Sequence, residues 1–404
     1  MLHLPTPDER RLIERHIGDD PHRLALSLKS TPTVDRDFVV RQIAGLQTLQ
    51  RKVPQWAEAG VTCPPHLPLE QCSSQATAAH KATLVGGTTL VDLTGGLGID
   101  FAFMLKKFEQ GTYVEQQPVL CEMARHNFEL LHIGHAEVVC ADACEYARAP
   151  WTADCIYIDP ARRNSAGSKT VLLADCTPDI SALAPQLLLK APTVMAKLSP
   201  MLDISMALRQ LPSTAEVHVV AVGGECKELL FVMKAGHSGE PEIVCTDISR
   251  HGTSRFRFTQ SGEAQAAVAI GLPGAFIYEP NASVLKAGAY KSVAHAYGLT
   301  KLNVNSHLYT SERPVGDFPG RVFRTQAVFA PNRREIREHL SDISQANIAT
   351  RNFPMSVAEL RRRLKLGDGG PDYIFATTDS ANRHILIRCR RLEPQNSCNE
   401  NCRD

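Results

Sequence analysis

Between residues 88 and 234, short apolar runs alternate with amphipathic stretches, and this alternation constrains the fold more than any other feature. Seven runs have the length and composition of buried strands: 89–93, 111–115, 136–140, 154–158, 193–198, 217–222 and 229–234. The stretches between them have helical patterns: 100–108, 118–131, 144–147, 177–189 and 202–211. Alternation of this kind predicts an α/β fold, with a mainly parallel sheet covered by helices on both faces.

The last two apolar runs are joined differently from the others. Only residues 223–228 separate them, which is too few for a helical crossover. These two runs must therefore pair as a hairpin, and the seventh strand is expected to run antiparallel to the rest.

The regions on either side of the sheet have other patterns. Residues 1–85 are predicted to be helical, with Ser73 and Ser74 placed to cap a helix over 75–84. Beyond residue 240, strands and helices interleave as in small α+β modules, with one helix predicted over 283–289 and others over 332–340 and 356–364. We expect a helical region (1–85), the α/β domain (86–240), a ferredoxin-like or linking module (241–315), a second α+β domain (316–392) and a disordered tail (393–404).

Composition excludes several classes of protein. The net charge of the 404 residues is +1, so any nucleic-acid partner must bind a local patch. None of the 12 cysteines is spaced Cys-x-x-Cys and the histidines show no ligand spacing, so we expect no metal site. Charges at residues 8–11 interrupt any signal-peptide core, and no apolar stretch approaches the roughly 20 residues that span a bilayer. We therefore expect a cytoplasmic protein with no membrane partner.

A glycine-rich turn joins the first predicted strand to the first predicted helix of the sheet. Glycines there permit a tight turn and close approach of a ligand to the backbone, and a helix N-terminus favours negative charge. By itself the turn fits a methyltransferase cofactor site, a dinucleotide site or a purely structural loop. The residues assigned to a cofactor site are Asp92, Thr94, Gly95, Gly96, Gly98 and Asp100.

Acidic residues follow the next two predicted strands. Glu115 stands 23 positions after Asp92, a place and spacing that suit hydrogen bonds to ribose hydroxyls. Asp142, followed by Ala143, comes after the third strand, where a carboxylate can accept the adenine amino group. Either residue alone could be an ordinary solvated strand end. Together and in this order, they favour an adenosine-containing cofactor.

The fourth predicted strand delivers Asp159 and Pro160 to the same edge of the sheet. Proline has no N–H, so the preceding carbonyl and the Asp159 carboxylate are free to accept hydrogen bonds. Two such acceptors could hold an exocyclic amine with its lone pair toward a methyl donor, although Asp-Pro can also simply begin a loop. We assign Asp159, Pro160 and Arg162 to catalysis, and Arg163 to substrate binding, since a guanidinium can stack on a base or hold a phosphate.

These motifs resemble those of class I S-adenosylmethionine-dependent methyltransferases, over residues 70–235. The antiparallel seventh strand also distinguishes a methyltransferase sheet from a dehydrogenase sheet. Through segments 73–78, 159–162 and 274–281, the whole chain resembles a bacterial family with a helical N-terminal region, this catalytic domain, and ferredoxin-like and THUMP-like C-terminal modules. The resemblance implies a seven-stranded Rossmann-like methyltransferase sheet and S-adenosyl-L-methionine as cofactor. Because THUMP-type modules present RNA to a catalytic domain, it also implies an RNA substrate such as tRNA or rRNA.

Two positions depart from the family pattern. Thr94 stands where the first glycine of the loop is usual. Amino-methylating enzymes usually continue the fourth motif with a second proline and an aromatic residue, whereas this chain has Ala161 and Arg162. The second departure bears on whether an amine is the target and leaves methyl transfer itself intact.

The C-terminal domain is basic. Residues 313–391 contain fourteen arginines and one lysine against eight acidic residues, a net charge of +7. Arginine forks suit phosphate groups, and a solvated basic face is the alternative. We assign to substrate binding Arg333, Arg334, Arg361, Arg362 and Arg363, together with Lys197 at the end of the fifth strand. The hairpin residues 224–228 are further candidates for substrate contact.

The leading hypothesis is an RNA methyltransferase that acts on an exocyclic base amine such as guanine N2 or adenine N6. One alternative is a methyltransferase that acts on a protein or a small molecule. The other is a catalytically silent RNA-binding adaptor that retains the fold.

Overall fold

A computed structural model describes residues 2–29, 31–64, 69–162 and 173–392 of the protein. The chain divides into two compact units, one of residues up to 218 with 227–241, and the other of residues 219–226 with those from 242 onward. No helix within the described ranges is long and apolar enough to cross a membrane. Arg163 and the tail 393–404 lie outside the described residues.

The region before the sheet is helical, as predicted. Its helices are α1 Pro7–His16, α2 Pro21–Ser27, α3 Arg36–Lys52, α4 Pro54–Glu58 and α5 Gln75–Ala82. Ser74 caps α5 by accepting a hydrogen bond from the Thr77 N–H, which satisfies a donor that the helix itself cannot pair. Helix α3 is anchored by Phe38, Ile43 and Leu49, which lie on its buried face.

Seven of the nine strands of the main sheet lie in the first unit or at its boundary. They are β1 Thr89–Asp92, β2 Gln110–Glu115, β3 Ala136–Cys140, β4 Cys155–Ile158, β5 Thr193–Leu198, β6 Thr214–Val222 and β7 Glu225–Lys234. Their spatial order is β3-β2-β1-β4-β5-β7-β6. Strands β1 to β5 pair in parallel, and β7 pairs antiparallel to β5. The predicted fold class, including its antiparallel seventh strand, is confirmed.

Helices connect the parallel strands: α6 Ile99–Leu105, α7 Pro118–Leu130, α8 Ala143–Arg148, α9 Ile180–Leu187 and α10 Ile204–Gln210. The helix predicted over 177–189 begins later, at Ile180, because Asp179 accepts the Ser181 N–H and caps it there. Strand residues such as Val114, Ile156 and Val194 are fully buried, as expected for a sheet covered on both faces.

The second unit contains a hairpin and a second sheet. The hairpin strands are β8 Glu242–Ser249 and β9 Gly252–Phe258. The sheet has the order β11-β12-β10-β13-β16-β15-β14. Its strands are β10 Phe276–Pro280, β11 Thr300–Lys301, β12 Tyr309–Ser311, β13 Gly320–Phe329, β14 Asn347–Arg351, β15 Asp372–Thr378 and β16 His384–Arg391. The helices of this unit are α11 Gln260–Gln265, α12 Ala282–Ala287, α13 Tyr290–Ala296, α14 Arg333–Leu340 and α15 Val357–Leu364.

The helix predicted over 283–289 is confirmed, but it ends at Ala287, and the helix that follows it was not predicted. Gly288 adopts φ 77°, a left-handed conformation that ends α12, and a separate helix begins at Tyr290. Further along, α14 and α15 pack against the sheet through Leu340, Leu360 and Leu364. These apolar contacts fix the two arginine-bearing helices on one sheet.

Candidate active site

The loop between β1 and α6 is held in place by strand β2. The Gly96 N–H donates to Glu115 Oε2 at 3.0 Å, and the Tyr113 hydroxyl donates to the Gly96 carbonyl at 2.5 Å. A Cβ atom on Gly95 would lie 2.1 Å from the Tyr113 ring, so glycine there is required by packing. Gly96 differs, because it has φ 54° and the nearest atom to a Cβ atom on it would be 3.8 Å away. The loop therefore borders open space at Gly96.

Two acidic side chains near the ends of β2 and β3 have acceptor oxygens that could hold an adenosine-containing cofactor. Both oxygens of Glu115 accept backbone N–H groups, and a carboxylate keeps further lone pairs for ribose hydroxyls. Asp142 caps α8 by accepting the N–H groups of Cys144 and Glu145 through Oδ1. Among the described residues, Asp142 Oδ2 has no hydrogen-bond partner and is available to an adenine amino group. These groups fit S-adenosyl-L-methionine, the cofactor that the resemblance implies.

Asp92 and Thr94 connect the loop to the fourth motif. Asp92 is 1% exposed and accepts the Thr94 N–H at 2.9 Å, and burial raises the pKa of its carboxyl well above the usual range. The Thr94 hydroxyl accepts the Asp159 N–H at 2.6 Å. The threonine that replaces the usual glycine thus ties the glycine loop directly to Asp159, a role that the sequence did not indicate.

Asp100 lies at the start of α6 but is engaged elsewhere than in the glycine loop. Its Oδ2 accepts hydrogen bonds from the hydroxyls of Ser73 and Tyr157, each at 2.8 Å. Its Oδ1 lies 3.2 Å from Lys81 Nζ, and its Oδ2 lies 3.7 Å from Lys197 Nζ. Asp100 is therefore part of a buried cluster of charges.

Asp159 is joined to the same cluster. Lys197 Nζ lies 2.5 Å from Asp159 Oδ2, and Lys81 Nζ lies 2.7 Å from both carboxylate oxygens of Glu228. The five side chains, which we call the buried ion network, are Glu228, Lys81, Asp100, Lys197 and Asp159. Lys197, predicted as a substrate contact, lies between two carboxylates. Lys81 and Glu228 were not predicted as charged partners, since 147 positions separate them.

Short-range charges decide the protonation of this network. Burial alone would raise the pKa of Asp100, but the ammonium groups of Lys81 and Lys197 lower it to about 2. Burial would lower the pKa of Lys197, and the carboxylates of Asp159 and Asp100 raise it instead. Burial raises the pKa of the Glu228 carboxyl, and the ammonium groups of Lys81 and Lys197 act in the opposite direction.

An Asp100→Asn variant is expected to be less stable than the native protein, with a deficit that depends on pH. Because the pKa of Asp100 is lowered on folding, its stabilising contribution is present above the unfolded-state pKa near 4 and is lost as pH falls toward about 2. The contribution is roughly 2 kcal/mol at neutral pH.

Melting temperatures of both proteins between pH 7 and pH 3 check this expectation. Their difference should be largest above pH 5 and should shrink toward pH 3. Glu109→Gln, at an exposed position of the same domain, is the control and should melt with the native protein throughout. A difference that stayed constant with pH would contradict the assignment.

The remaining predicted site residues are distributed as follows. Arg162 belongs to a two-residue strand, 161–162, that pairs antiparallel with 176–177. In the second unit, Arg361 donates to the carbonyls of Ala346 and Gly367 and is committed to local structure. Arg363 donates to a neighbouring carbonyl. The exposed members of the predicted set on α14 and α15 are Arg333, Arg334, Arg362 and Arg363.

Comparison with known proteins agrees with this arrangement. Residues 276–319 match a family of ferredoxin-like domains, and residues 320–391 match a family of THUMP-like domains. Uncharacterized S-adenosylmethionine-dependent methyltransferases from two strains of Mycobacterium tuberculosis are 26% identical over 313 residues, which is 76% of this chain and 82% of theirs.

One solved structure resembles nearly the whole chain. It is the crystal structure of a candidate methyltransferase from Porphyromonas gingivalis W83, 36% identical, with a TM-score of 0.88 over 97% of this chain and 100% of that one. The similarity extends across both units and includes the methyltransferase sheet. The chain therefore belongs to the family of class I S-adenosylmethionine-dependent methyltransferases that carry ferredoxin-like and THUMP-like domains at the C-terminus.

Proposed function

We propose that this methyltransferase modifies RNA, either tRNA or rRNA, at an exocyclic base amine such as guanine N2 or adenine N6. The observation that carries the choice of RNA is the THUMP-like match over residues 320–391, a domain with a net charge of +7 between residues 313 and 391. Four of its arginines on α14 and α15 project into solvent, where phosphate groups can reach them.

S-adenosyl-L-methionine supplies an electrophilic methyl group when it is bound. In the proposed site, the backbone of Gly95, Gly96 and Gly98 borders the methionine part of the cofactor. Glu115 accepts the ribose hydroxyls. Asp142 Oδ2 accepts the adenine amino group, and the adjacent Ala143 N–H donates to the ring. This assignment is supported by the open space at Gly96 and by the unused acceptor on Asp142.

The acceptor nucleotide is proposed to bind at Asp159 and Pro160. The Asp159 carboxylate and its backbone carbonyl accept the N–H groups of the amine, so that the nitrogen lone pair points outward to the donor. As the nitrogen takes the methyl group, the S–CH3 bond breaks and the sulfonium is left as the neutral thioether of S-adenosylhomocysteine. The nitrogen becomes more positive and loses a proton, which the carboxylate of Asp159 receives. Arg162 and Arg163 are proposed, from the sequence, as contacts to the extruded base and its phosphate.

Tracing the methyl group tests the proposed substrate. Purified enzyme would be incubated with methyl-labelled S-adenosyl-L-methionine and total RNA from a strain in which the gene is deleted. Label is expected in one nucleoside, which digestion and mass spectrometry would identify as an N-methylated base. Label that entered only the protein or small-molecule fraction of the same strain would overturn the RNA assignment.

The exposed arginines are expected to set the salt dependence of RNA binding. An Arg333→Ala/Arg334→Ala variant should weaken binding of total RNA and reduce the slope of log K against log salt by roughly 1.4 to 1.8, since each lost phosphate contact removes about 0.7 to 0.9. Filter binding of total RNA, repeated at several salt concentrations between about 50 and 200 mM, measures this slope.

A matched control removes the same charge from another helix. Arg10→Ala/Arg15→Ala alters two exposed arginines of α1 and should leave the slope unchanged. Equal slopes for the α14 variant and the native protein would show that these arginines do not contact phosphates.

A further inference from the structure

The buried ion network alternates in charge from one end to the other. Its order is Glu228, Lys81, Asp100, Lys197 and Asp159, with each lysine lying between two carboxylates. The side chain of Lys81 is fully buried, and those of Glu228, Asp100 and Lys197 are 4%, 11% and 16% exposed. The Asp159 side chain is 37% exposed. The network therefore reaches solvent mainly at the residue proposed to hold the target amine.

Three of the residues that build or support the network lie outside the segments assigned to the cofactor. Ser73 and Lys81 come from the segment before β1, and Glu228 comes from the hairpin strand β7. Burying two lysines and three carboxylates is costly unless each charge is closely paired. A cost of this kind at the edge of a cofactor site points to a role in the chemistry of that site.

Asp159 is fixed from two sides. The Thr94 hydroxyl accepts its backbone N–H at 2.6 Å, and Lys197 Nζ donates to Oδ2 at 2.5 Å. Within the described part of the chain, Oδ1 has no hydrogen-bond partner. Lys197 is in turn drawn toward Asp100, 3.7 Å away, so its ammonium group is held between two anions. Asp100 is kept in place by Lys81, Ser73 and Tyr157.

We propose that Lys197 is a positioning residue that holds the Asp159 carboxylate toward the acceptor amine, with Asp100, Lys81 and Glu228 as its buried support. This inference rests on the proposed role of Asp159. Lys197 balances the charge of Asp159, so that a nearly neutral pair faces the cofactor.

A double-mutant cycle tests whether Lys197 acts through Asp159. Lys197→Met is expected to lower kcat roughly tenfold to hundredfold, because the Asp159 carboxylate is no longer held in position. The KM for total RNA should stay within about twofold of the native value. In an Asp159→Ala background, the same change should cost less than about threefold further. Equal losses in both backgrounds, or a loss confined to KM, would overturn the proposal. Lys107→Met, at an exposed lysine of the same domain, should leave kcat unchanged.

A binding measurement tests the same pairing without turnover or RNA. S-adenosyl-L-methionine carries a sulfonium cation, whereas S-adenosylhomocysteine does not. Lys197→Met leaves the Asp159 carboxylate without its counter-charge. Relative to S-adenosylhomocysteine, the variant should therefore bind S-adenosyl-L-methionine more tightly than the native protein does, by roughly threefold to tenfold in the ratio of the two dissociation constants. Asp159→Ala leaves the ammonium unbalanced and should shift the ratio in the opposite direction. The double variant should return close to the native ratio.

Calorimetry with both ligands gives the ratio directly. Shifts in the same direction for the two single variants, or no shift in either, would overturn the proposal. If Lys197→Met does not fold, Lys197→Gln removes the same charge and is measured instead. If the native enzyme labels no RNA, the proposed substrate fails, while the ligand ratio still decides the role of Lys197.

Discussion

Replacing Asp159 with alanine is expected to slow methyl transfer severely while S-adenosyl-L-methionine still binds. The carboxylate contacts Lys197 through Oδ2, and its backbone N–H donates to Thr94, so the substitution removes an acceptor and leaves the glycine loop intact. Removing one preorganised polar group from an active site costs on the order of a hundredfold to a thousandfold in kcat. Cofactor affinity should fall by no more than about tenfold, since only a nearby charge is lost.

Single-turnover transfer of labelled methyl groups to total RNA, with calorimetry on the same samples, measures both quantities. Asp159→Asn is the matched variant, because it keeps an acceptor oxygen and loses the charge. Its rate should lie between those of the native enzyme and Asp159→Ala. Full turnover by Asp159→Ala would show that the catalytic assignment is wrong.

Gly96→Arg is expected to abolish cofactor binding. Gly96 has φ 54°, which strains any other residue, and the space beside it is the space proposed for the ligand. An arginine side chain would occupy that space. It would also disturb the Gly96 N–H that donates to Glu115. Loss of the loop and the ribose acceptor together should raise Kd by at least about a hundredfold.

Calorimetry with S-adenosyl-L-methionine measures the loss, and circular dichroism checks that the variant is folded. Gly134→Arg introduces the same side chain at an exposed glycine between α7 and β3, where a Cβ atom would meet no other atom within 4 Å. It should bind the cofactor as the native protein does. Normal binding by Gly96→Arg would show that the cofactor does not bind at this loop.

Local patterns predict the fold of the first unit well. The apolar runs became β1 to β7, and a connection too short for a helix correctly predicted the antiparallel hairpin. Local patterns are sufficient here because strand burial and loop length are properties of neighbouring residues. In the second unit, strands of two or three residues, such as Thr300–Lys301 and Tyr309–Ser311, are too short to give a periodic signal.

The site was only partly predictable. Motif order correctly placed Glu115, Asp142 and Asp159 at strand ends. Glu115 is the last residue of β2, Asp142 lies two residues after β3, and Asp159 follows β4 directly. The ion pairs of Asp100 depend on Lys81 and Lys197, whose positions are set by tertiary packing, and no local pattern shows such partners. Thr94 appeared to be a tolerated departure from a glycine. Its bond to Asp159 is visible only once β1 and β4 are adjacent.

The position of Glu228 in the sequence has a consequence for how the enzyme folds during its synthesis. Lys81 is made 147 residues before its carboxylate partner Glu228. A nascent chain that has not yet exposed β7 outside the ribosome would have to bury Lys81 with Asp100 as its anion. The parallel strands alone thus lack half of the pairing that this lysine needs. A fragment that forms the complete network must therefore extend through β7, which lies well beyond the last sequence motif at Asp159 and Pro160.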